Sequence, residues 1–194
     1  MKFDLSEVTG VIKERRTVYP EQFTDRKVHR DMIEQMLINA TWAPTHGKTQ
    51  PWRFKVYTGE GRDKLADILS ELYKANTPEA NFSENKLQRL LERVTGTSAI
   101  ISVAMVRTED TRIPEVEEVE AVACATQNIL LTATAYGLGS FWSSPKFFYE
   151  KGTSERFGYG ESDKMLGLIY LGYPSVGWPK SHRKPLEYIT EWVD

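Results

Sequence analysis

The sequence predicts an α+β fold in one domain spanning residues 1–194, with long helices wrapped on a small sheet. Three observations carry that reading. Apolar residues recur at helical spacing in several separate segments; short apolar runs with strand patterning stand between them; and no repeat, low-complexity tract or Pro/Gly/Ser linker divides the chain. At 194 residues, with 40% apolar and 11% aromatic content, the chain can close a core without a disulfide or metal.

The elements follow in order. Leu5, Val8 and Ile12 share one helical face, and that helix closes on Lys13-Glu14-Arg15-Arg16. A second helix is expected over Arg30 to Ala40, where Met32, Ile33, Met36, Leu37 and Ala40 form a stripe stopped by Pro44. Thr45 to Lys48 reads as a loop, and Arg53 to Tyr57 alternates as a half-buried strand does. Leu65, Ile68, Leu69 and Leu72 mark a third helix. Lys74 to Ser83 is polar and broken by Pro78, hence a loop or lid. Leu87, Leu90, Leu91 and Val94 mark a fourth helix, ending near Gly96. Ala99 to Val106 is a continuous apolar run, the pattern of a strand buried on both faces. The acidic stretch that follows, with Glu109, Asp110, Glu115, Glu117, Glu118 and Glu120, is expected to be solvated and to lead into a helix start. The helix from Glu118 to Tyr136 is apolar around nearly its whole circumference, so it belongs in a core or an interface. Gly137-Leu138-Gly139 ends it. Ser140 to Trp142 and Met165 to Leu171 complete the strands.

Several chemistries are excluded by what the chain lacks. Its 27 acidic and 25 basic residues leave a net charge of −2, which argues against a nucleic-acid module acting through bulk positive charge. One cysteine, Cys124, permits neither an internal disulfide nor a multi-cysteine zinc site. Set in the apolar helix, it is expected to be a buried, inert thiol. His29, His46 and His182 have no metal-ligand spacing, and no metal is expected. Gly-x-Ser-x-Gly, Walker A and Gly-x-Gly-x-x-Gly motifs are all missing. The opening residues carry no apolar leader and no window is long enough to span a membrane, so a cytoplasmic location is expected. Residue types alone nominate no catalytic acid, base or nucleophile, which leaves the chemistry to a cofactor.

Three clusters remain. Arg15-Arg16-Thr17 puts two guanidiniums and a hydroxyl at a helix end, suited to a phosphate, although such a pair also complements the helix dipole. Trp42 to Trp52 holds two tryptophans, two prolines, a glycine and several donors. It suits a rigid loop against a flat polar ring, or an ordinary helix-to-strand turn. Gly137-Leu138-Gly139-Ser140-Phe141-Trp142-Ser143-Ser144-Pro145 is joined later by Ser181 to Glu187. Together, and in this order, with Gln50-Pro51-Trp52 and Leu171-Gly172-Tyr173-Pro174, these motifs resemble the nitroreductase family over nearly the whole chain, and its compact members most closely.

That resemblance implies a three-layer α-β-α sandwich, an intertwined homodimer and two FMN sites at the interface. It implies that Arg15, Arg16 and Thr17, helped by Arg183, hold the FMN phosphate and ribityl chain. Trp42, Pro44, Thr45, His46 and Gln50 belong to the loop that comes from the other subunit and lines the ring. Trp142, Ser143 and Ser144 close the site from the first subunit. Lys48 stands where many members carry Asn, and the segment from Thr77 to Ser83 falls where members vary and shapes substrate access. The implied activity is reduction of nitroaromatic or quinone-type acceptors by NADH or NADPH, the two substrates taking turns in a ping-pong cycle. Another reaction on the same fold, such as reductive dehalogenation or flavin metabolism, and flavin binding without turnover are the alternatives.

Overall fold

The computed structural model describes residues 3–109 and 112–193; Met1, Lys2, Asp110, Thr111 and Asp194 lie outside the described residues. Four strands form one antiparallel sheet: β1 (Trp52–Tyr57), β2 (Ala99–Met105), β3 (Gly139–Ser143) and β4 (Lys164–Gly172), in the order β1-β2-β4-β3. Helices cover both faces, so the architecture is a three-layer α-β-α sandwich, as the motifs imply. The helices are α1 (Leu5–Glu14), α2 (Arg30–Ala40), α3 (Gly61–Asn76), α4 (Glu84–Thr95), α5 (Glu115–Ala135) and the short α6 (Thr153–Arg156).

The alternation of side chains along the strands sorts the core into two halves. Ala99, Ile101, Val103 and Met105 of β2 pack with α2 and α5, joined by Ile169 and Leu171 of β4. Ile100 and Ala104 face the other way, with Leu168 and Tyr170, onto Leu65, Leu69 and Leu72 of α3 and Val94 of α4. Every residue of β2 is buried, because it is central and both its faces carry helices. The continuous apolar run in the sequence is explained by this position.

Capping explains the helix bounds. Asp4 accepts a hydrogen bond from the Ser6 backbone N–H at 2.7 Å and starts α1, and the Ser83 hydroxyl caps Lys86 N to start α4. At the end of α5, Gly137 takes φ +71°. Gly137 N then donates to Thr134 O and Leu138 N to Ala133 O, a Schellman closure that turns the chain directly into β3. Asn39 ties α2 to α5: its Nδ2 donates to Thr132 Oγ1 at 2.9 Å, and Asn128 Nδ2 donates back to Asn39 O at 3.0 Å.

Three expectations are corrected. Glu118 is not solvated: it is 1% exposed and ion-paired with Arg107. Arg107 Nη2 also donates to Ile113 O, and Thr108 N donates to Glu118 Oε1, so the acid pins the start of α5 to the exit of β2. A buried carboxylate persists only with such partners. Cys124 is exposed rather than buried, since α5 turns Ala121, Ala125 and Ile129 inward and leaves Cys124 on the opposite side. The helix itself starts three residues earlier than periodicity suggests, at Glu115, because its first turn carries acids favoured by the dipole. Among the described residues, no helix is long and apolar enough to cross a membrane.

Candidate cofactor site

A cavity of about 480 Å³ opens between the end of α1, the outer face of α5 and edge strand β3. Arg15, Thr17, Trp142 and Arg183 line it, together with Gln127 and Ser140, which sequence reasoning did not nominate. Local structure explains each placement. Arg15 is the C-cap of α1, its N–H still bonded to Val11 O at 3.0 Å, so the side chain leaves the helix as the chain turns away. Thr17 then bridges in parallel to Ser140, and Val18 N donates to Ser140 O at 3.0 Å, which fixes the end of α1 against β3. The C-terminal segment is brought to the same place by Trp178, whose Nε1 donates to Glu14 O at 2.5 Å. Arg183 follows, its Nη1 held by Ser181 Oγ and His182 O.

The cavity is cationic. Burial lowers the Arg15 pKa, and the charges of Arg183 and Arg16 lower it further. No acidic side chain is among the lining residues. Two guanidiniums lining one space without a carboxylate give it a chemistry suited to an anion. Arg16 is placed differently. Its Nη1 donates to Lys13 O and to Arg15 O, closing the carbonyl end of α1, while its Nε is buried without a partner.

Trp142 and Ser144 are set by a bulge in β4. Val103 pairs with Gly167 but Ala104 pairs with Met165, leaving Leu166 as the extra residue. Its carbonyl accepts from Trp142 Nε1 at 3.1 Å and from Ser144 Oγ at 2.7 Å. Gly167 has φ +148°, and a Cβ there would overlap the Trp142 indole. Glycine at 167 therefore decides where the tryptophan lies. Ser143 points to the other face of β3, with Phe141.

The loop after α2 is not part of this cavity. Trp42 is 83% exposed, and Pro44, His46 and Gln50 are also exposed. The loop is nevertheless rigidly built: Thr45 Oγ1 lies 3.1 Å from Thr49 Oγ1 and accepts from Gln50 N at 3.2 Å. Gly47, Lys48 and Gln50 all have positive φ, at 58°, 57° and 46°. His46 Nδ1 lies 2.5 Å from Glu117 Oε2 on α5, an anchor that the sequence did not reveal. One chain thus joins Arg15, Thr17, Trp142 and Arg183, and leaves Trp42, Pro44, Thr45, His46 and Gln50 elsewhere.

Comparison with known proteins places the fold in a family. The Nitroreductase family model matches residues 12–173. Bacillus subtilis YfhC, provisionally named an NAD(P)H nitroreductase, is 28% identical over 182 residues, covering 93% of this chain and 91% of its own. The crystal structure of a nitroreductase-like family protein from Bacillus cereus superimposes with a TM-score of 0.83 at 30% identity, covering 99% of this chain and 98% of its own. A nitroreductase-type protein of Desulfovibrio desulfuricans, solved in complex with FMN, gives a TM-score of 0.72 at 26% identity, covering 96% and 97% of the two chains. With the family model spanning most of its length and the motifs held in one fold, this chain belongs to the nitroreductase family.

Proposed function

We propose that the chain is an FMN-dependent oxidoreductase that uses NADH or NADPH to reduce nitroaromatic or quinone-type acceptors, working as a homodimer. The observation that carries this reading is the convergence of Arg15 and Arg183 on one cavity that no carboxylate lines. The residues present fit FMN: a guanidinium fork matches a phosphate bidentately, the Thr17 hydroxyl adds a donor, and the Trp142 indole supplies a flat apolar surface beyond them. The FMN complex of the Desulfovibrio relative supports the same cofactor.

When bound, FMN supplies the redox chemistry, taking a hydride from the nicotinamide and passing electrons to the acceptor. The protein's part is to bind, orient and exclude water. Arg15 and Arg183 would hold the phosphate. The Leu166 carbonyl fixes the side chains of Trp142 and Ser144, of which Trp142 would supply a flat surface to the ring. A second copy supplies the missing wall with Trp42, Pro44, Thr45, His46 and Gln50. With Nδ1 of His46 engaged by Glu117, its Nε2 is the nitrogen left to face a ligand. Donor and acceptor use one face in turn, giving ping-pong kinetics.

The dimer is supported by exposed apolar surface. No residue of α1 is buried, and its Leu5, Val8 and Ile12 stripe faces outward. Leu186, Tyr188, Ile189, Trp192 and Val193 are all more than half exposed. Exposed apolar side chains in such numbers support an interface. The test is the visible spectrum of the purified protein under anaerobic conditions. A flavin absorbance that NADH or NADPH bleaches, and that a nitroarene or quinone then restores, is expected. A colourless protein that does not quench FMN fluorescence contradicts the proposal.

A further inference from the structure

The Arg15 cavity carries an amide that a phosphate does not account for. Gln127 lines it from α5, together with Leu130 one turn further on, and Ile12 and Arg15 line it from α1. The neighbours of Gln127 in sequence are committed elsewhere. Thr126 Oγ1 donates to Val122 O at 2.9 Å within α5, and Asn128 Nδ2 donates to Asn39 O at 3.0 Å on α2. Gln127 is exposed, and among the described residues its side chain has no hydrogen-bond partner. The helix therefore presents one free amide to the cavity. Ser140, 2% exposed, lines the same space from β3, and Thr17 lines it from the segment bridged to Ser140. Arg16, engaged by Lys13 O and Arg15 O, is not part of the lining.

The polar lining divides by hydrogen-bond type. Arg15 and Arg183 only donate, which matches a phosphate, whose oxygens mainly accept near neutral pH. The Gln127 amide both donates and accepts, as do the hydroxyls of Thr17 and Ser140. Against a phosphate, the amide carbonyl would face a group with little hydrogen to offer. Against an alcohol both halves of the amide are used, since a hydroxyl donates one hydrogen bond and accepts others. We propose that Gln127 binds the hydroxylated chain joining the flavin ring to its phosphate, and that it makes the cavity prefer a polyol to an alkyl chain of equal length. Leu130 and Ile12 flank the amide with apolar surface, and a hydrogen bond in such a setting is stronger than one in open water. This inference rests on the proposed use of FMN and assigns one residue to one part of that molecule.

The test measures the affinity of the apoprotein for three flavins: FMN, riboflavin, and a flavin phosphate with a plain pentyl chain in place of the ribityl chain. FMN is expected to bind about tenfold more tightly than the pentyl analogue, the effect of one or two net hydrogen bonds. Gln127→Ala and Gln127→Met each close most of that gap. Both variants weaken FMN and riboflavin by the same factor, because both flavins carry the ribityl chain, and leave the pentyl analogue unchanged. Gln127 is exposed, so these variants fold. Full FMN affinity in Gln127→Met overturns the proposal, since methionine keeps the length and loses only the amide. So does a loss confined to FMN, which would make Gln127 a phosphate ligand. Equal affinity of the unaltered protein for FMN and the pentyl analogue overturns it as well. If FMN and riboflavin bind equally, the phosphate site at Arg15 and Arg183 fails instead, and the loss of riboflavin affinity in Gln127→Ala still upholds Gln127. If no flavin binds, the proposed cofactor is wrong and this inference falls with it.

Discussion

Arg15 and Arg16 are adjacent and identical in type, yet they do different work. Arg15 lines the cavity between α1, α5 and β3, whereas Arg16 closes the carbonyl end of its own helix. Spacing in the sequence cannot separate them, because the difference comes from the direction in which the chain leaves α1. The contrast predicts distinct defects. Arg15→Ala weakens FMN binding with little change in thermal stability, and Arg16→Ala chiefly destabilises α1. Fluorescence titration and a melting curve measure the two. Gly167 is a second residue with a defined task. Gly167→Ala forces a side chain into the Trp142 indole at φ +148° and costs about 1–3 kcal/mol in a denaturant titration. It also moves Trp142 and so lowers FMN affinity. Glu21 sets a pH response. Burial alone would raise its pKa, but its hydrogen bonds to its own backbone and to Arg93 and Arg89 hold it below the usual carboxylate value. A lowered folded pKa means that its contribution is complete above the unfolded value of about 4.3 and is lost as pH falls through the folded one. The Glu21→Gln variant should therefore lose less stability than the unaltered protein between pH 5 and 3, values of about the range where carboxylates protonate.

At the level of elements, α2 spans Arg30–Ala40 as its apolar stripe indicates, and β2 sits where its continuous apolar run says it must. Periodicity is local information, and these elements depend mainly on it. What was illegible depends on partners distant in the chain. Glu118 is buried because Arg107 meets it, and Cys124 is exposed because packing chose one apolar side of α5 over another. The loop after α2 holds strain that a substitution can relieve. Lys48 has φ +57°, where a side chain costs about 1–2 kcal/mol. Lys48→Gly should keep or raise the melting temperature, whereas glycine on an exposed helix position lowers it. A fall at Lys48 would mean that its side chain compensates the strain.

Across the whole molecule, the surface is left incomplete. The candidate contacts for a flavin divide into one group around the Arg15 cavity and another on the loop after α2, and apolar residues lie open on α1 and along the C-terminal segment. In the proposed dimer a second copy would cover both. Light scattering should find a dimer, and removing residues 186–194 should shift it toward monomer and reduce FMN retention together. A monomer that holds FMN with full affinity would break that link. The central claim is narrower: the Arg15 and Arg183 cavity is a phosphate site for FMN. Comparing the affinity of the apoprotein for FMN and for riboflavin, which lacks the phosphate, tests it most directly. FMN should bind at least about a hundredfold more tightly, as two charge-assisted contacts would give, and Arg15→Ala together with Arg183→Ala should erase most of that gap. Equal affinity for the two flavins, or a gap untouched by the two substitutions, would contradict it.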